Sequence, residues 1–510
     1  MSFLYDNAAV LAIAAVCSAL AWLYGGINAP ALLPTMPWLV AILCEAALFF
    51  PQRHADETLS AARERVWARM KHDPVFWLSA VFIILLAVPF VNKGLCPCCD
   101  YPAIHFDGKS EYPPAKFLPF CIDPGEHFTV FLWFLCALPA MLATKHSLLK
   151  RGKRRLVSIL VWNGLALAIL GMVQHVTGAE APLWSKGWDR EAYFFSTFGY
   201  PNMGADYFTT LFAMSCAAWR WRLETEGSDE SRAKANHTRF WRSHIFAIPA
   251  AFSFFGAMMT LSRAGILLCS AAALLIFLHT MIDRLSKMRR SKKVKAIAGG
   301  IIAVALAATA IGVLFSDKIA PADEPGIKAD FKREVDSIDG RGVLDRVAGK
   351  GQYHNKVALR VWRKHPVFGC GGWGYKHLCL PNMTDEEYES GIQTVGGTNV
   401  HNDYLQFLAE HGAVGFGILA GIFALLCAPV FRIWKALAKA ARFATKKERP
   451  ASPVAIFALP APAFCLVVAV LATVVHSFGD CPMRSPAVLT LFFTVLAAID
   501  GYLPRLRRRT

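Results

Sequence analysis

The segment KRGKRRLVSILVWNGLALAILGMVQH, residues 150–175, decides the fold class of this chain. Its first six residues contain five Lys and Arg, and the next twenty contain no Asp, Glu, Lys or Arg. A helix needs about 20 apolar residues to cross the hydrocarbon core of a membrane. The segment therefore predicts a transmembrane helix that begins beside a basic cluster at one membrane face.

The same pattern recurs along the chain. These stretches are long and continuously apolar, whereas the strands of a membrane β-barrel would be short runs that alternate apolar and polar residues. Pro34, Pro37 and Glu45 interrupt one stretch, and Asp206 lies in another. We predict an all-α, polytopic membrane helix bundle of about twelve transmembrane helices, near residues 8–24, 31–50, 75–91, 127–144, 156–175, 203–219, 244–261, 264–281, 296–315, 411–431, 453–475 and 486–503.

Composition agrees with a membrane protein. The 510 residues are 55% hydrophobic and 18% charged, and the mean hydropathy is +0.37. A soluble chain has roughly a quarter of its residues charged. These values exclude a cytoplasmic globular enzyme, a disordered chain and a small disulfide scaffold. The first apolar stretch lacks a basic leader, so we expect a retained helix and not a cleaved signal peptide.

The distribution of positive charge predicts the orientation. Alternate connections contain 35 of the 54 Lys and Arg, and the other set contains 19, most of them in one long loop. Lys and Arg accumulate on the cytoplasmic side, and long loops are exempt from this rule. Both termini are therefore predicted to be cytoplasmic. The net charge of +17 is then explained by topology and anionic lipid headgroups, so no nucleic-acid partner is expected.

The cysteines follow the same division. Seven lie in apolar stretches and seven in loops assigned to the outside, with none in a cytoplasmic loop. Disulfides persist in oxidising compartments, which favours a periplasmic or extracellular outer face. We expect at least one disulfide, with Cys370–Cys379 as a plausible pair. A metal knuckle at Cys96-Pro-Cys-Cys99 is the alternative, although the C-x-x-C spacing with a second pair is lacking.

We divide the chain into four segments. Residues 1–190 contain N-terminal helices and a Cys-rich outer loop at 92–126, and residues 191–315 contain the central helices. Residues 316–410 form a large extracytoplasmic loop, and residues 411–510 contain the last helices and a basic tail. In the large loop we predict an amphipathic helix over 353–364. The Gly-rich run 369–374 follows it and is interpreted as a tight turn, because a phosphate cradle needs a preceding strand.

His401 is the candidate catalytic residue. It precedes Asn402 in His-Asn-Asp-Tyr-Leu-Gln-Phe-Leu-Ala-Glu-His-Gly-Ala-Val-Gly, residues 401–415. Asn399 or Thr398 is expected to cap a helix beginning near 400, with His401 in its first turn and Gly412 interrupting it. The positive end of a helix disfavours imidazolium, and a neutral imidazole suits a general base. The alternative is a capping or interfacial histidine.

Three charged residues accompany this histidine on the outer side. Arg263 lies between two apolar runs with almost no loop, where arginine is usually paired or functional; snorkelling to the headgroups is the alternative. Arg360 lies on the amphipathic helix, and it is an ordinary surface residue unless that helix faces the bundle. Asp480 is expected to cap the last outer loop.

These motifs resemble the O-antigen ligase superfamily, which also includes O-antigen polymerases and bacterial protein O-oligosaccharyltransferases. The family signature H-[NSQ]-x9-G-x2-[GTY] is matched in full from His401-Asn402 to Gly412-Ala-Val-Gly415. Phe198-Gly-Tyr-Pro-Asn202, Ser262-Arg-Ala-Gly265 and Arg360-Val-Trp-Arg-Lys-His-Pro366 are also similar to the family. The resemblance covers residues 190–500, and the Cys-rich loop 92–126 is not part of the family pattern.

The resemblance implies a metal-independent glycosyltransferase without cofactors in the bacterial inner membrane, with its active site facing the periplasm. Its donor would be a glycan on undecaprenyl diphosphate, and its acceptor a lipid A-core sugar, a growing polysaccharide or a protein hydroxyl. His401 would be the catalytic base, Arg263 and Arg360 would bind the diphosphate, and Asn402 and Asp480 would support them. A secondary transporter is the alternative class, favoured only by Glu45 and Asp206.

Overall fold

A computed structural model describes residues 2–26, 34–92, 115, 117–185, 193–227, 237–287, 350–389, 399–443 and 458–504. Within these ranges the chain is helical and contains no β-strand; a single isolated bridge joins Phe195 and Phe198. The predicted all-α class is confirmed for this part of the chain. The predicted helix 296–315 lies outside the described residues, as do Cys96, Cys98 and Cys99.

Sixteen α-helices are present in the described ranges. They are α1 (Ser2–Trp22), α2 (Met36–Phe49), α3 (Leu59–Lys71), α4 (Pro74–Ala87), α5 (Pro124–His146), α6 (Lys150–Val176), α7 (Pro201–Gly227), α8 (His237–His244), α9 (Ala247–Met259), α10 (Arg263–Lys287), α11 (Lys350–Lys364), α12 (Gly374–Leu378), α13 (Asp385–Glu389), α14 (Asp403–Phe443), α15 (Ala461–His476) and α16 (Pro486–Ala498).

Four of these helices are long and apolar enough to cross a membrane: α5, α6, α10 and α14. A fifth candidate is the pair α3 and α4, whose axes differ by 72°. Shorter apolar helices occupy four more predicted stretches, at Asp6–Trp22, Met36–Phe49, Ala461–His476 and Pro486–Tyr502. The protein is therefore a helical membrane protein, and the count of twelve spans stays a prediction.

Helix α6 begins at Lys150, so the basic cluster of residues 150–155 is helical and not a loop. Lys153 in this cluster is buried and ion-paired with Asp500 at 2.5 Å. The long aliphatic stem of lysine allows this, because it crosses apolar surface while its ammonium reaches a charged partner. The charge analysis counted Lys153 in a connection, whereas helix α6 extends six residues before the predicted span 156–175 and includes it.

Helix α7 lies near the centre of the bundle, because it packs against α9, α10 and α15. Helix α5 packs against α16 and α2, and α14 packs against α4 and α11. The amphipathic helix predicted over 353–364 is confirmed as α11, whose Val357 and Val361 are fully buried. A small core of these side chains joins α11 and α12 to α14.

Helix α14 is broken at Gly412, as the sequence predicted. Gly412 has φ 64° and ψ −175°, a conformation that is essentially limited to glycine. The loop after α11 lies along the break and replaces the lost helical hydrogen bonds. Ala413 N–H donates to Pro366 O at 2.8 Å, while Cys370 N–H donates to Ala409 O at 3.1 Å. The Gly-rich run is thus a turn packed on α14, which agrees with the sequence interpretation.

Candidate active site

Four helix ends meet at one end of the bundle. The N-termini of α7, α10 and α14 converge there with the turn that follows the C-terminus of α15. Side-chain hydrogen bonds connect them: Ser262 donates to Asn202, Asn202 donates to Asp480, and His401 bonds to the same carboxylate. His401 and Asp480, which the sequence analysis named from separate stretches, are therefore joined in one polar cluster with Asn202 and Ser262.

His401 and Asp480 form the centre of this cluster. His401 Nδ1 lies 3.0 Å from Asp480 Oδ1; the histidine side chain is 31% exposed and the aspartate side chain 4%. Burial opposes ionisation of this carboxyl, but the hydrogen bond and charge of His401 outweigh it and lower the pKa of Asp480 to about 2. An ionised carboxylate only accepts hydrogen bonds. Nδ1 must therefore carry a proton, which leaves Nε2 with its lone pair in the neutral ring.

The predicted start of α14 is wrong by three residues. The helix begins at Asp403, and its cap is Asn402, whose Oδ1 accepts a hydrogen bond from Leu405 N–H at 3.2 Å. His401 precedes the cap with φ 55°, so it is not in the first helical turn. Asp403 N–H donates to Ser477 O at 3.0 Å. This bond fixes the entry to α14 against the turn that contains Asp480.

Asp480 is surrounded by further donors. Tyr200 O–H donates to its carboxylate at 3.3 Å, and Asn202 Nδ2 donates to Oδ2. The Cys481 backbone N–H donates at 2.8 Å. Burial and the charge of Asp480 raise the pKa of the Tyr200 phenol well above its usual value, so it remains a donor. These bonds fix the carboxylate, and through it the orientation of the His401 ring.

Arg263 is the first residue of α10, directly after Ser262, and it is half-buried. Ser262 Oγ accepts a hydrogen bond from Gly265 N–H at 3.0 Å and so caps this helix. The same hydroxyl donates to Asn202. Arg263 therefore begins a helix whose capping residue, Ser262, belongs to the His401–Asp480 cluster.

Arg360 lies on α11, and this helix contacts the cluster through His354 and not through Arg360. The rings of His354 and His401 lie 6.1 Å apart between centroids, and His354 Nδ1 lies 3.0 Å from the Tyr375 hydroxyl. Arg360 itself is ion-paired with Glu387 and donates through Nε to Asn382 O at 2.8 Å. It is therefore held in the outer loop, with its side chain 33% exposed.

The expected disulfide between Cys370 and Cys379 is not formed in this structure. Cys370 Sγ donates to Ala409 O at 3.4 Å, whereas Cys379 is a free thiol that donates to the Tyr375 hydroxyl at 3.4 Å. Each thiol thus bonds to a different acceptor. Trp373, between the two cysteines in sequence, has a left-handed φ of 59°.

Among the described residues, two groups bring together side chains of the types that bind metal ions. One contains His401, Asp480 and Cys481, and the other contains Asp123, Glu126 and His377. In the first group the Cys481 thiol donates to Asp480 at 3.4 Å. Burial and the charge of Asp480 raise the pKa of this thiol well above its usual value. The thiol is therefore a hydrogen-bond donor within this cluster. In the second group Lys376 is ion-paired with Glu126 at 2.5 Å.

Sequence reasoning missed four residues of the cluster. Tyr200, Asn202 and Ser262 lie in stretches that resemble the superfamily, so the signal was present but had not been assigned to a role. For His354 we find no signal in the sequence beyond its position on the amphipathic helix. Its contact with His401 depends on the fold of the long outer loop.

The fold and the site together define an all-helical membrane protein with a histidine–aspartate pair at one end of its helix bundle. Residues 248–420 match the family model described as O-antigen ligase. The match includes Arg263, Arg360 and His401, whereas Asn202 and Asp480 lie outside it. The resemblance to the O-antigen ligase superfamily is therefore confirmed over these 173 of the 510 residues. Comparison with curated proteins finds no match.

Proposed function

We propose that this protein is a glycosyltransferase that moves a glycan from a polyprenyl-diphosphate donor, of the undecaprenyl type, to an acceptor hydroxyl. The observation that carries the proposal is the His401–Asp480 pair at the entry to the signature helix. His401 is accessible, its Nδ1 bonds to a carboxylate, and it precedes the helix that the family model includes.

In the proposed reaction, His401 Nε2 takes the proton of the acceptor hydroxyl. The acceptor oxygen then attacks the anomeric carbon of the donor glycan, and the bond from that carbon to the diphosphate oxygen breaks. The bonding electrons leave with the diphosphate. Asp480 stabilises the imidazolium that forms, because it already holds Nδ1–H in a charge-assisted hydrogen bond.

Arg263 and Arg360 are proposed to bind the diphosphate. The guanidinium group meets two phosphate oxygens at once and is always charged. Of the five N–H donors of Arg360, Glu387 and Asn382 use two, so three are left for a phosphate. The convergence of three helix N-termini also supports this role, since each carries partial positive charge that favours an anion.

The proposal includes a site on the periplasmic face of the bacterial inner membrane and no metal or other cofactor. Metal independence is what the resemblance to the superfamily implies, and transfer in the presence of a chelator tests it. The acceptor stays open between a lipid A-core sugar, a growing polysaccharide and a protein hydroxyl. Asp206, which had favoured a transporter, is hydrogen-bonded to Thr473 at 2.7 Å and to His476 at 3.1 Å, so its burial is explained by a structural role.

The test is transfer by the purified protein from a lipid-diphosphate glycan, with no nucleotide and with a chelator present. We expect glycan on the acceptor and release of polyprenyl diphosphate in equal amounts. Active protein with the chelator and inactive His401→Ala protein would support the proposal. A protein that moves glycan lipid across vesicles without cleaving it would support a transporter instead.

A further inference from the structure

A basic cavity lies at the end of the bundle where α5 finishes. It has a volume of about 700 Å³, and its lining includes Arg65, Arg69, His72, Lys145 and His146. Helix α3 contributes the first two residues, and the end of α5 contributes the last two. Cavities of about 300–1,000 Å³ are the size range of small-molecule sites.

The two carboxylates in the lining are neutralised internally. Asp73 is ion-paired with Lys145 at 2.6 Å and with His146 at 2.8 Å, and Asp500 is paired with Lys153. Arg69 is exposed and makes no ion pair within the described ranges. When the charged partners of the lining residues are counted as well, positive charges still outnumber negative ones. Arg69 is the positive charge that remains accessible.

The cavity and the candidate active site lie at opposite ends of the same helix. Near the start of α5, His127 Nδ1 accepts a hydrogen bond from Gly372 N–H in the Gly-rich turn, at 2.8 Å. At its end, Lys145 and His146 line the cavity. A helix of 23 residues is about 34 Å long, close to the thickness of the hydrocarbon core. The cavity therefore lies at the membrane face opposite to His401.

Aromatic side chains mark the membrane boundary beside this cavity. Trp67 on α3 and Trp77 on α4 are 53% and 54% exposed, and both pack edge-on against Phe76. Trp77 Nε1–H also donates to Lys71 O at 2.9 Å, which holds the 72° bend between the two helices. Tryptophan is enriched where hydrocarbon meets headgroups. Helix α3 thus has the features of an interfacial helix beside the first turn of a span.

We propose that this cavity binds the phosphate headgroup of an anionic phospholipid, such as phosphatidylglycerol. Basic pockets between membrane helices on the cytoplasmic side recognise such headgroups. Arg69 supplies the accessible cation, beside Arg65 and Lys145, which are ion-paired with Glu57 and Asp73. The two tryptophans on α3 and α4 indicate headgroup depth. Free inorganic phosphate has the same charged group but no acyl chains, so exposed tryptophans on the neighbouring helix surface favour the phospholipid.

The experiment is lipid binding to the purified full chain in detergent, followed by native mass spectrometry. Phosphatidylglycerol is compared with phosphatidylcholine, for wild type, Arg69→Gln and Arg69→Glu. Each surface cation contributes roughly a fivefold gain in affinity for anionic lipid. We expect phosphatidylglycerol to bind more tightly than phosphatidylcholine, Arg69→Gln to lower its affinity about fivefold, and Arg69→Glu to lower it further.

The matched control is Arg432→Gln, which removes an exposed arginine from α14 outside the cavity. Equal loss of phosphatidylglycerol binding in Arg432→Gln and Arg69→Gln would overturn the proposal, because it would indicate a general charge effect. Displacement of the lipid by excess inorganic phosphate would also overturn it in favour of a free phosphate site. Since Arg69 lies at the opposite end of α5 from His401, failure here leaves the proposed glycosyl transfer untouched.

Discussion

The pairing of His401 with Asp480 was beyond what residue patterns could predict. The histidine and its function as a base were predicted from the signature, and Asp480 was named as a supporting residue. Their contact was not predictable, because 79 positions and two membrane helices separate them. The left-handed φ of His401 was also missed, since Asn399 and Asn402 are equally good caps in sequence and only the fold selects Asn402.

We predict that His401→Ala abolishes transfer and that Asp480→Asn reduces it about 10- to 100-fold. General base catalysis contributes about 10²–10⁴-fold, and one charge-assisted hydrogen bond contributes roughly 1.5–3 kcal/mol. The measurement is steady-state transfer by purified variants, with helical content and melting temperature as controls. Full activity in a folded His401→Ala protein would exclude this histidine as the base.

The pKa of Asp480 also predicts a pH dependence of stability. It is lowered from 3.8 to about 2 in the folded protein, so this carboxylate stabilises the fold above the unfolded value. That contribution, about 2 kcal/mol, is lost as the pH falls from about 4 to 2. The difference in unfolding free energy between wild type and Asp480→Asn in detergent should therefore shrink over this range. A difference that stays constant from pH 6 to pH 2 would contradict the pairing.

For the two arginines we predict that Arg263→Lys and Arg360→Lys both weaken donor binding and transfer. Lysine keeps the charge but loses the planar fork, and losing one charge-assisted hydrogen bond costs about one to two decades of rate. Donor binding is measured separately from transfer kinetics. An arginine that only reaches the headgroups would tolerate lysine, so near wild-type values in both variants would refute the diphosphate assignment.

At the scale of elements, helices with a clear amphipathic or apolar pattern were predictable from the sequence. The places where helices break or end were predictable only in part. The amphipathic pattern of 353–364 predicted α11, and the glycine at 412 predicted a break. The segment that packs against the break was not predicted, because the Gly-rich loop contacts α14 only through tertiary folding. The predicted stretch 244–261 contains α9, which begins three residues later and ends two residues earlier, because an apolar run does not show at which residue a helix ends.

The break gives a prediction about the signature glycine. A Cβ at position 412 would meet Val367 O at 2.2 Å, and the residue has a positive φ. Gly412→Ala should therefore destabilise the protein by more than the 1–3 kcal/mol of backbone strain alone and lower its yield. Gly417→Ala, five residues along the same helix, is the matched control, because nothing lies within 4 Å of the added Cβ. Equal melting temperatures for the two variants would contradict this account of the signature.

At the scale of the whole molecule, the apolar stretches predicted a helical membrane protein, and the distribution of Lys and Arg predicted its orientation. The class is confirmed, while the orientation and the number of spans remain predictions. The charge rule is a statistical bias between loops, so it does not determine how an individual apolar run is used. Lys153 illustrates the limit: it was counted as a loop residue, but it lies buried inside α6 with Asp500 as its partner.

The orientation can be tested with two exposed positions at opposite ends of the bundle. Glu386 is exposed on α13 in the outer loop, and Ala61 is exposed on α3 near the basic cavity. In cells with a permeabilised outer membrane, a membrane-impermeant maleimide should label Glu386→Cys directly. Ala61→Cys should be labelled only after the inner membrane is opened, because its helix lies about one bilayer thickness away. Labelling of the wild-type protein is subtracted as background. The reverse pattern would place His401 in the cytoplasm, where an acceptor exposed only on the periplasmic side could not reach it.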